Sequence, residues 1–174
     1  MTNAAASSQS FDGSKPQRRR KKQTDEVQPD LGALIAQGES ETVEFKASAR
    51  WDLRANAPNK ALEAVIVKTV AGLLNARGGI LLIGVDDKGT AVGLEQDFKT
   101  LSKRPDQDGY QQFLVNLFSS SLGKDVCAYI SISFQSIDEQ DICVLRIQKS
   151  LKPIYVGEGQ QTRFSSEPAI RPRN

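Results

Sequence analysis

The order of apolar and polar residues divides the chain after residue 30 into short helices and strands. A first helix is predicted by Leu and Ile residues three and four positions apart, and it ends at Gly38. The segment TVEFKAS then alternates, which is typical of a half-buried strand with Glu44 and Lys46 on its polar face. Residues 50–58 are polar and contain Pro58, so we expect a loop there.

The second part of the pattern predicts a long helix and a central strand. In KALEAVIVKTVAGLLNA the apolar residues recur at helical spacing, with Asn59 placed to cap the helix and Asn75, Gly78 and Gly79 placed to end it. The run ILLIGV that follows is continuously apolar, as expected for a strand covered on both faces. DDKGTAVGL is typical of a tight hairpin, with Gly89 at a positive φ angle.

The third part of the pattern predicts two further helices and several strands. Helical spacing occurs over residues 95–102 and again in DGYQQFLVNLFSSSLG, which ends at Gly123. The runs VCAYISISF and DICVLRI predict two strands joined by a turn at 138–140, and short strands are expected at 154–156 and 162–164. The predicted order is β-α-β-β-α-β-β-β, which indicates an α+β fold with a mixed sheet flanked by helices.

Two segments fall outside this pattern. Residues 1–30 are rich in Ser, Gln, Ala and basic residues and lack apolar periodicity, so we expect them to be disordered and call them the basic arm. Residues 165–174 are expected to form an irregular tail, which leaves residues 31–164 as one domain. The arm holds six basic and four acidic side chains, whereas the other 17 basic and 17 acidic side chains balance. The excess positive charge therefore lies in the arm.

Part of the arm is a candidate for contact with nucleic acid. KPQRRRKK places six cations in eight residues, and such a run attracts polyanions through counterion release. The other interpretation is a tail that only keeps the protein in solution. The arm residues that we assign to nucleic-acid binding are Arg18, Arg19, Arg20, Lys21 and Lys22.

Composition restricts the chemistry that the chain can perform. It has no histidine, which excludes Ser-His-Asp triads, histidine-based ribonucleases and histidine metal motifs. With only Cys127 and Cys143, Cys and His cannot complete a zinc site, and we expect free thiols in a reducing cytoplasm. The sequence shows no membrane span and no secretory signal. Hydrolysis would require carboxylates, lysine, tyrosine or a carboxylate-bound metal, and oxygen ligands favour Mg²⁺ or Mn²⁺.

Three carboxylates are candidates for such a metal site. Glu44 lies on the polar face of the first strand, Glu39 precedes that strand, and Asp87 follows the central strand. If the two strands are neighbours, the three side chains can meet at one end of the sheet, where a divalent cation could activate water and stabilise charge on a phosphate. Lys46 faces the same way as Glu44 and could contact a phosphate oxygen. The alternative is that these acids only form a solvated edge.

A second group of candidates lies in the polar segment after the first strand. Trp51, with Arg50 and Arg54 nearby, could form a loop that stacks on bases and binds phosphates. A single tryptophan is more often packed against its own domain, so both interpretations stay open.

Two motifs together resemble the Schlafen-type AlbA domain. ESETVEFK at residues 39–46 and GGILLIGVDDKGTAVGL at residues 78–94 match its E-S-x-x-x-E-F-K and G-G-x-L-x-I-G-V-D-D elements. The resemblance extends over residues 32–164 and implies a mixed sheet flanked by helices. Animal Schlafens bind RNA, and some cut it with a metal-dependent site of three carboxylates. The resemblance therefore implies nucleic acid as the partner, with RNA favoured over DNA.

By motif position, the family's three carboxylates fall on Glu39, Glu44 and Asp87, and its neighbouring lysine falls on Lys46. The resemblance thus implies a metal-dependent endoribonuclease that uses Mg²⁺ or Mn²⁺. Two alternatives stay open, a nucleic-acid-binding module without catalysis and a nucleotide-binding (ATP) regulatory domain. Because the animal relatives join two such units, a homodimer of this chain would recreate the pair.

Overall fold

A computed structural model describes residues 30–157 of the chain. Its helices are α1 (Leu31–Gln37), α2 (Ala61–Asn75), α3 (Glu95–Lys99) and α4 (Gln107–Leu122), with a 3₁₀ helix at Lys124–Tyr129. Its strands are β1 (Val43–Lys46), β2 (Trp51–Asp52), β3 (Ala57–Pro58), β4 (Gly78–Ile83), β5 (Ile130–Ile137) and β6 (Gln140–Gln148). The fold is α+β, as predicted.

Four of the strands form a mixed sheet in the order β1-β4-β6-β5. β1 lies parallel to β4, with Glu44 opposite Leu81 and Lys46 opposite Ile83, whereas β6 is antiparallel to both β4 and β5. A parallel pair needs a crossover connection, and α2 supplies it here. The C-terminal ends of β1 and β4 therefore meet at the same end of the sheet.

Both faces of the sheet are buried, and different helices cover them. On one face, residues of α2 and α4 form an apolar cluster with the strand residues Leu81, Ile83, Cys143, Leu145 and Ile147. On the other face, α1 contributes Leu31 and Ile35 to a smaller cluster with the strand residues Phe45, Leu82, Ile142 and Val144. β4 is thus covered on both sides, as its continuous apolar run predicts.

The helix ends follow the sequence signals. α1 ends at Gly38 and α4 at Gly123, both with positive φ angles. The side chain of Asn59 accepts the backbone N–H of Ala61 at 3.0 Å, so the predicted cap of α2 is confirmed. α2 ends at Asn75, as expected.

The segment 50–58 differs from the predicted loop, because it contains the antiparallel hairpin of β2 and β3. The carboxylate of Asp52 holds the turn. It accepts the backbone N–H groups of Arg54 at 2.9 Å and Ala55 at 3.0 Å and the side-chain amide of Asn59 at 3.2 Å. These hydrogen bonds lower the pKa of Asp52, and the bond from the Ala55 N–H has the largest effect, with the bond from the Asn59 side chain second. The hairpin therefore depends on polar side-chain bonds and not on apolar alternation.

Two strand predictions are wrong. The strand expected from Val126 begins only at Ile130, because the 3₁₀ helix occupies the intervening residues. Residues 154–156 form no strand. Instead, the side chain of Asn75 accepts the N–H and donates to the carbonyl of Ile154, both at 2.8 Å, and holds this segment in an irregular conformation.

Gly78 and Gly79 also differ from prediction, since they begin β4 and do not end α2. Gly78 has a φ of 79°, which favours glycine. A Cβ atom at Gly78 would lie 2.4 Å from the carbonyl oxygen of Ile147, so the close approach of β6 leaves no room for a side chain.

Several predictions concern residues outside the described range. The basic arm up to residue 29, the strand expected at 162–164 and the tail at 165–174 all fall there. Within residues 30–157, no helix combines the length and apolar character that crossing a membrane requires. Cys127 and Cys143 are free thiols, and burial raises the pKa of Cys143.

Candidate nucleic-acid interface

A groove of about 500 Å³ lies where the C-terminal ends of β1 and β4 meet. Its walls come from the end of β1, the turn after β4, the β2–β3 hairpin and the start of α2. We call it the strand-end groove, and the polar and aromatic side chains that line it are Lys46, Ser48, Trp51, Asp52, Arg54, Asp86, Asp87 and Lys88. Open α/β sheets commonly place ligand sites beyond the carboxyl ends of their parallel strands.

Backbone hydrogen bonds hold the two strand ends together. The carbonyl of Lys46 accepts the N–H of Gly84 at 2.8 Å and that of Val85 at 3.3 Å. The carbonyl of Gly84 in turn accepts the N–H of Gly93 at 3.0 Å, beyond the following hairpin. The backbone at Lys46 and the residues after β4 are therefore held next to one another.

The two adjacent acids after β4 have different environments. The carboxylate of Asp86 accepts the N–H groups of Thr90 at 2.8 Å and Lys88 at 3.0 Å, which confirms the predicted hairpin with Gly89 at a φ of 79°. The bond from Thr90 contributes most to lowering the pKa of Asp86. Asp87 is exposed, and within residues 30–157 it has no hydrogen bond or ion pair. One acid thus maintains the turn, and the other is available in the groove.

Lys46 and Glu44 contact each other directly. The Nζ of Lys46 lies 2.6 Å from Oε1 of Glu44 and also donates to the carbonyl of Phe45 at 2.8 Å. Both side chains are partly exposed, so the ion pair stabilises the fold by about 1 kcal/mol at most. Their predicted position on one face is confirmed, and the charge of Glu44 partly offsets that of Lys46.

Glu39 lies at the outer edge of β1. Its Oε1 accepts the backbone N–H of Phe45 at 2.9 Å. Because β1 is an edge strand of the sheet, this bond satisfies a donor that no neighbouring strand takes. A carboxylate in this place also opposes pairing with another strand.

In this arrangement the three predicted carboxylates do not fit a divalent cation. Glu39 is bound to the backbone, Glu44 is bound to Lys46, and only Asp87 lines the groove. In the described part of the chain, no group of three acidic, histidine or cysteine side chains is arranged to hold a metal ion. The catalytic and metal-binding roles of these residues stay predictions.

Of the two predicted arginines that the structure describes, Arg50 and Arg54, only Arg54 lines the strand-end groove, where it is exposed near the tip of the hairpin. Arg50 lines a separate cavity of about 690 Å³ beside α2 and α4. There its Nε lies 3.1 Å from Oε1 of Glu63, and its guanidinium carbon lies 4.8 Å from the ring centroid of Phe113. These are the contacts of a residue that stabilises the fold.

Trp51 is half-buried and lines the strand-end groove. It belongs to neither of the apolar clusters that cover the sheet in residues 30–157. An aromatic ring beside Lys46 and Arg54 is a combination that single-stranded nucleic-acid sites use, with stacking for the bases and cations for the phosphates. Trp51 is thus placed in the groove with cations beside it, and its role in stacking on bases stays a prediction.

Sequence reasoning missed Asp97 in α3, a carboxylate with 1% of its surface exposed. Five donors, three backbone N–H groups and two hydroxyls, converge on it from Ser48, Ala49, Arg50, Trp51 and Tyr110. The pKa of Tyr110 is raised well above its ordinary value. Burial of Tyr110 is the main cause, and the neighbouring charge of Asp97 is the second. No signal in EQDFK distinguishes this acid from its exposed neighbours, because its partners lie far away in the sequence.

The fold and the groove define a class of protein, a small α+β domain with a potential ligand site at the ends of two parallel strands. The family model "Schlafen, AlbA_2" matches residues 39–172, and the chain belongs to this family. The resemblance predicted from the two motifs is confirmed.

Two solved structures are similar to the chain. The DIP2311 protein from Corynebacterium diphtheriae is 18% identical with a TM-score of 0.51, and the match covers 72% of this chain and 22% of that one. The N-terminal domain of a RecG-related protein from Nitrosomonas europaea is 24% identical with a TM-score of 0.43, over 82% of this chain and 92% of that one. No curated protein matches the chain. The first likeness shows the fold alone.

Proposed function

We propose that this protein is a nucleic-acid-binding domain that holds single-stranded RNA in the strand-end groove. The observation that carries the proposal is the presence of Trp51 together with three cations, Lys46, Arg54 and Lys88, in one groove. Stacking on an aromatic ring combined with phosphate contacts is the usual basis of single-strand binding. Membership of the Schlafen family supports nucleic acid as the partner in general, and RNA is favoured because animal Schlafens bind RNA.

The charge of the groove sets how tightly it would bind. Three acids line it beside the three cations, and Glu44 partly offsets the charge of Lys46, so the groove has no excess of positive charge. Asp52 and Asp86 are engaged by backbone N–H groups, which disperses their charge. We therefore expect modest affinity from the groove itself. The basic run at residues 18–22, outside the described residues, would add phosphate contacts and most of the salt dependence.

Arg54→Gln is expected to weaken the binding of a fluorescently labelled single-stranded RNA by severalfold. It should also reduce the slope of log K against log salt concentration by about 0.7, the value for one lost contact to a single strand. The measurement is fluorescence anisotropy at several salt concentrations. The matched control is Arg77→Gln, which removes the same charge from an exposed side chain just before β4, at the opposite end of the strand.

Two results would contradict the groove as the binding site. One is an equal loss of affinity in Arg54→Gln and Arg77→Gln, which would indicate a general charge effect. The other is a wild-type protein that binds no RNA at low salt. Equal binding of single-stranded DNA of the same sequence would keep the groove and remove only the preference for RNA.

A metal-dependent endoribonuclease is the second candidate, and one observation favours it. Asp87, on which the family's third carboxylate falls, is exposed, has no partner within residues 30–157 and lines the same groove as Lys46. Against it, Glu39 and Glu44 are engaged elsewhere. The geometry therefore favours binding without catalysis. The alternatives of nucleotide binding and of a homodimer stay predictions of the resemblance.

Mn²⁺ distinguishes these two candidates. From the separated carboxylates we expect no rise in melting temperature with Mn²⁺ and no cleavage of a transfer RNA, because stabilisation by a metal requires a site that binds it in the folded state. The measurements are a thermal melt with and without Mn²⁺ and gel analysis of the RNA. Mn²⁺-dependent cleavage that is lost in Asp87→Asn but kept in Asp108→Asn, an exposed acid on α4, would establish the nuclease instead.

A further inference from the structure

We propose that Asp97 is the positioning residue of the strand-end groove. Its buried carboxylate fixes the conformation of residues 48–51 and thereby the orientation of the Trp51 ring. The part of this inference that concerns RNA rests on the proposed function. The part that concerns the conformation of the loop rests on the geometry alone.

Three consecutive backbone N–H groups converge on this carboxylate. Those of Ala49, Arg50 and Trp51 lie 2.9, 3.2 and 3.0 Å from its oxygens. Successive N–H groups that point to one place form a concave binding surface for an anion. Here the anion comes from the chain itself, from α3, so the loop is folded around Asp97.

The hydroxyl of Ser48 completes this arrangement. It donates to Asp97 and accepts the N–H groups of Trp51 at 2.7 Å and Arg50 at 3.1 Å. The backbone at Arg50 and Trp51 is therefore bound both by the hydroxyl and by the carboxylate. As a result the two adjacent side chains occupy different cavities, with Arg50 beside Glu63 and Trp51 in the groove.

The arrangement specifically requires a carboxylate. All five contacts are donors, and an ionised carboxylate is the side chain that only accepts and has about four lone-pair sites. Within residues 30–157, no Lys or Arg forms a salt bridge with Asp97. A buried charge without a counter-ion is unfavourable unless hydrogen bonds stabilise it. These donors come mainly from one loop, so the stabilisation of the charge depends on that loop adopting this conformation.

Asp97→Asn tests the role, since it retains the shape but places an amide donor against other donors. Trp51 is the single tryptophan, so its fluorescence reports on this loop alone. We expect the folded variant, without RNA, to show a shifted Trp51 emission maximum. We expect its affinity for single-stranded RNA to fall by about tenfold, because a displaced Trp51 ring loses stacking on a base, which contributes about 1–3 kcal/mol.

Tyr110→Phe is the matched control, because its hydroxyl donates to the same carboxylate at 2.7 Å from α4 and not from the loop. It should lower the melting temperature while leaving Trp51 emission and RNA affinity unchanged. If both variants lower the melting temperature and neither changes the emission, Asp97 only stabilises the fold and the proposal is wrong.

Ser48→Ala keeps the test decisive if Asp97→Asn does not fold. This variant removes one hydrogen bond that the loop donates to the Asp97 carboxylate, and it should shift Trp51 emission in the folded protein. An unshifted spectrum would contradict the proposal. A wild-type protein that binds no RNA, together with a shifted emission in Asp97→Asn, would support the positioning role and overturn only the proposed ligand.

Discussion

Trp51→Ala is expected to weaken RNA binding by roughly ten- to a hundredfold, because stacking of a base on an aromatic ring contributes about 1–3 kcal/mol. The free energy of unfolding should stay within about 1 kcal/mol of wild type, since the ring lies outside both apolar clusters of the sheet. Anisotropy of labelled RNA measures the first quantity, and urea denaturation followed by circular dichroism measures the second.

Trp51→Phe is the control for this variant, because it keeps an aromatic face in the groove and should keep most of the affinity. If Trp51→Ala instead lowers the free energy of unfolding by several kcal/mol and leaves RNA binding intact, Trp51 is a packing residue. The groove would then lose the observation on which the proposed function depends.

Arg50→Ala changes the residue directly before Trp51, but it is expected to lower the stability of the fold and to leave RNA binding unchanged. The free energy of unfolding should fall by about 2–4 kcal/mol, because Glu63 would keep a carboxylate with little exposure and no partner within residues 30–157. The stacking of the guanidinium over Phe113 would also be lost. RNA affinity of the folded protein should not change. Urea denaturation and anisotropy check the two expectations.

A double variant separates the ion pair from the packing around it. Replacing both partners by apolar residues, Arg50→Met with Glu63→Leu, removes the unpaired charge and should recover much of the lost stability. If Arg50→Ala is as stable as wild type and binds RNA more weakly, then Arg50 is a nucleic-acid-binding residue, as its position in the sequence suggests.

The parts of the fold that the sequence predicts well are those with a strong period. α2, β4 and α4 follow their apolar patterns, and the position of Glu44 and Lys46 on one face of β1 follows from alternation. The predicted site required β1 and β4 to be neighbours, and the structure places them side by side and parallel. Periodicity is informative here because burial of an element's apolar face dominates its placement.

The parts that the sequence does not predict depend on single polar contacts between distant residues. Arg50 and Arg54 look equivalent in RWDLRAN, and the contacts of Arg50 with Glu63 on α2 and Phe113 on α4 distinguish them. The role of Asp97 depends on donors 46 to 49 residues away along the chain. Such contacts leave no periodic pattern, so the local sequence does not show them.

The way in which Asp97 holds the loop also determines which part of the hairpin can tolerate change. The base of the β2–β3 hairpin is held on one side by Asp97 and on the other by the bond from the Asn59 N–H to the Arg50 carbonyl, at 2.7 Å. Residues 53–56 lie beyond these attachments and beyond the pairing of Asp52 with Ala57, and they belong to no strand. Insertions, deletions and new side chains can therefore accumulate at the hairpin tip without disturbing the strand ends. A grafted loop could therefore be placed there by design.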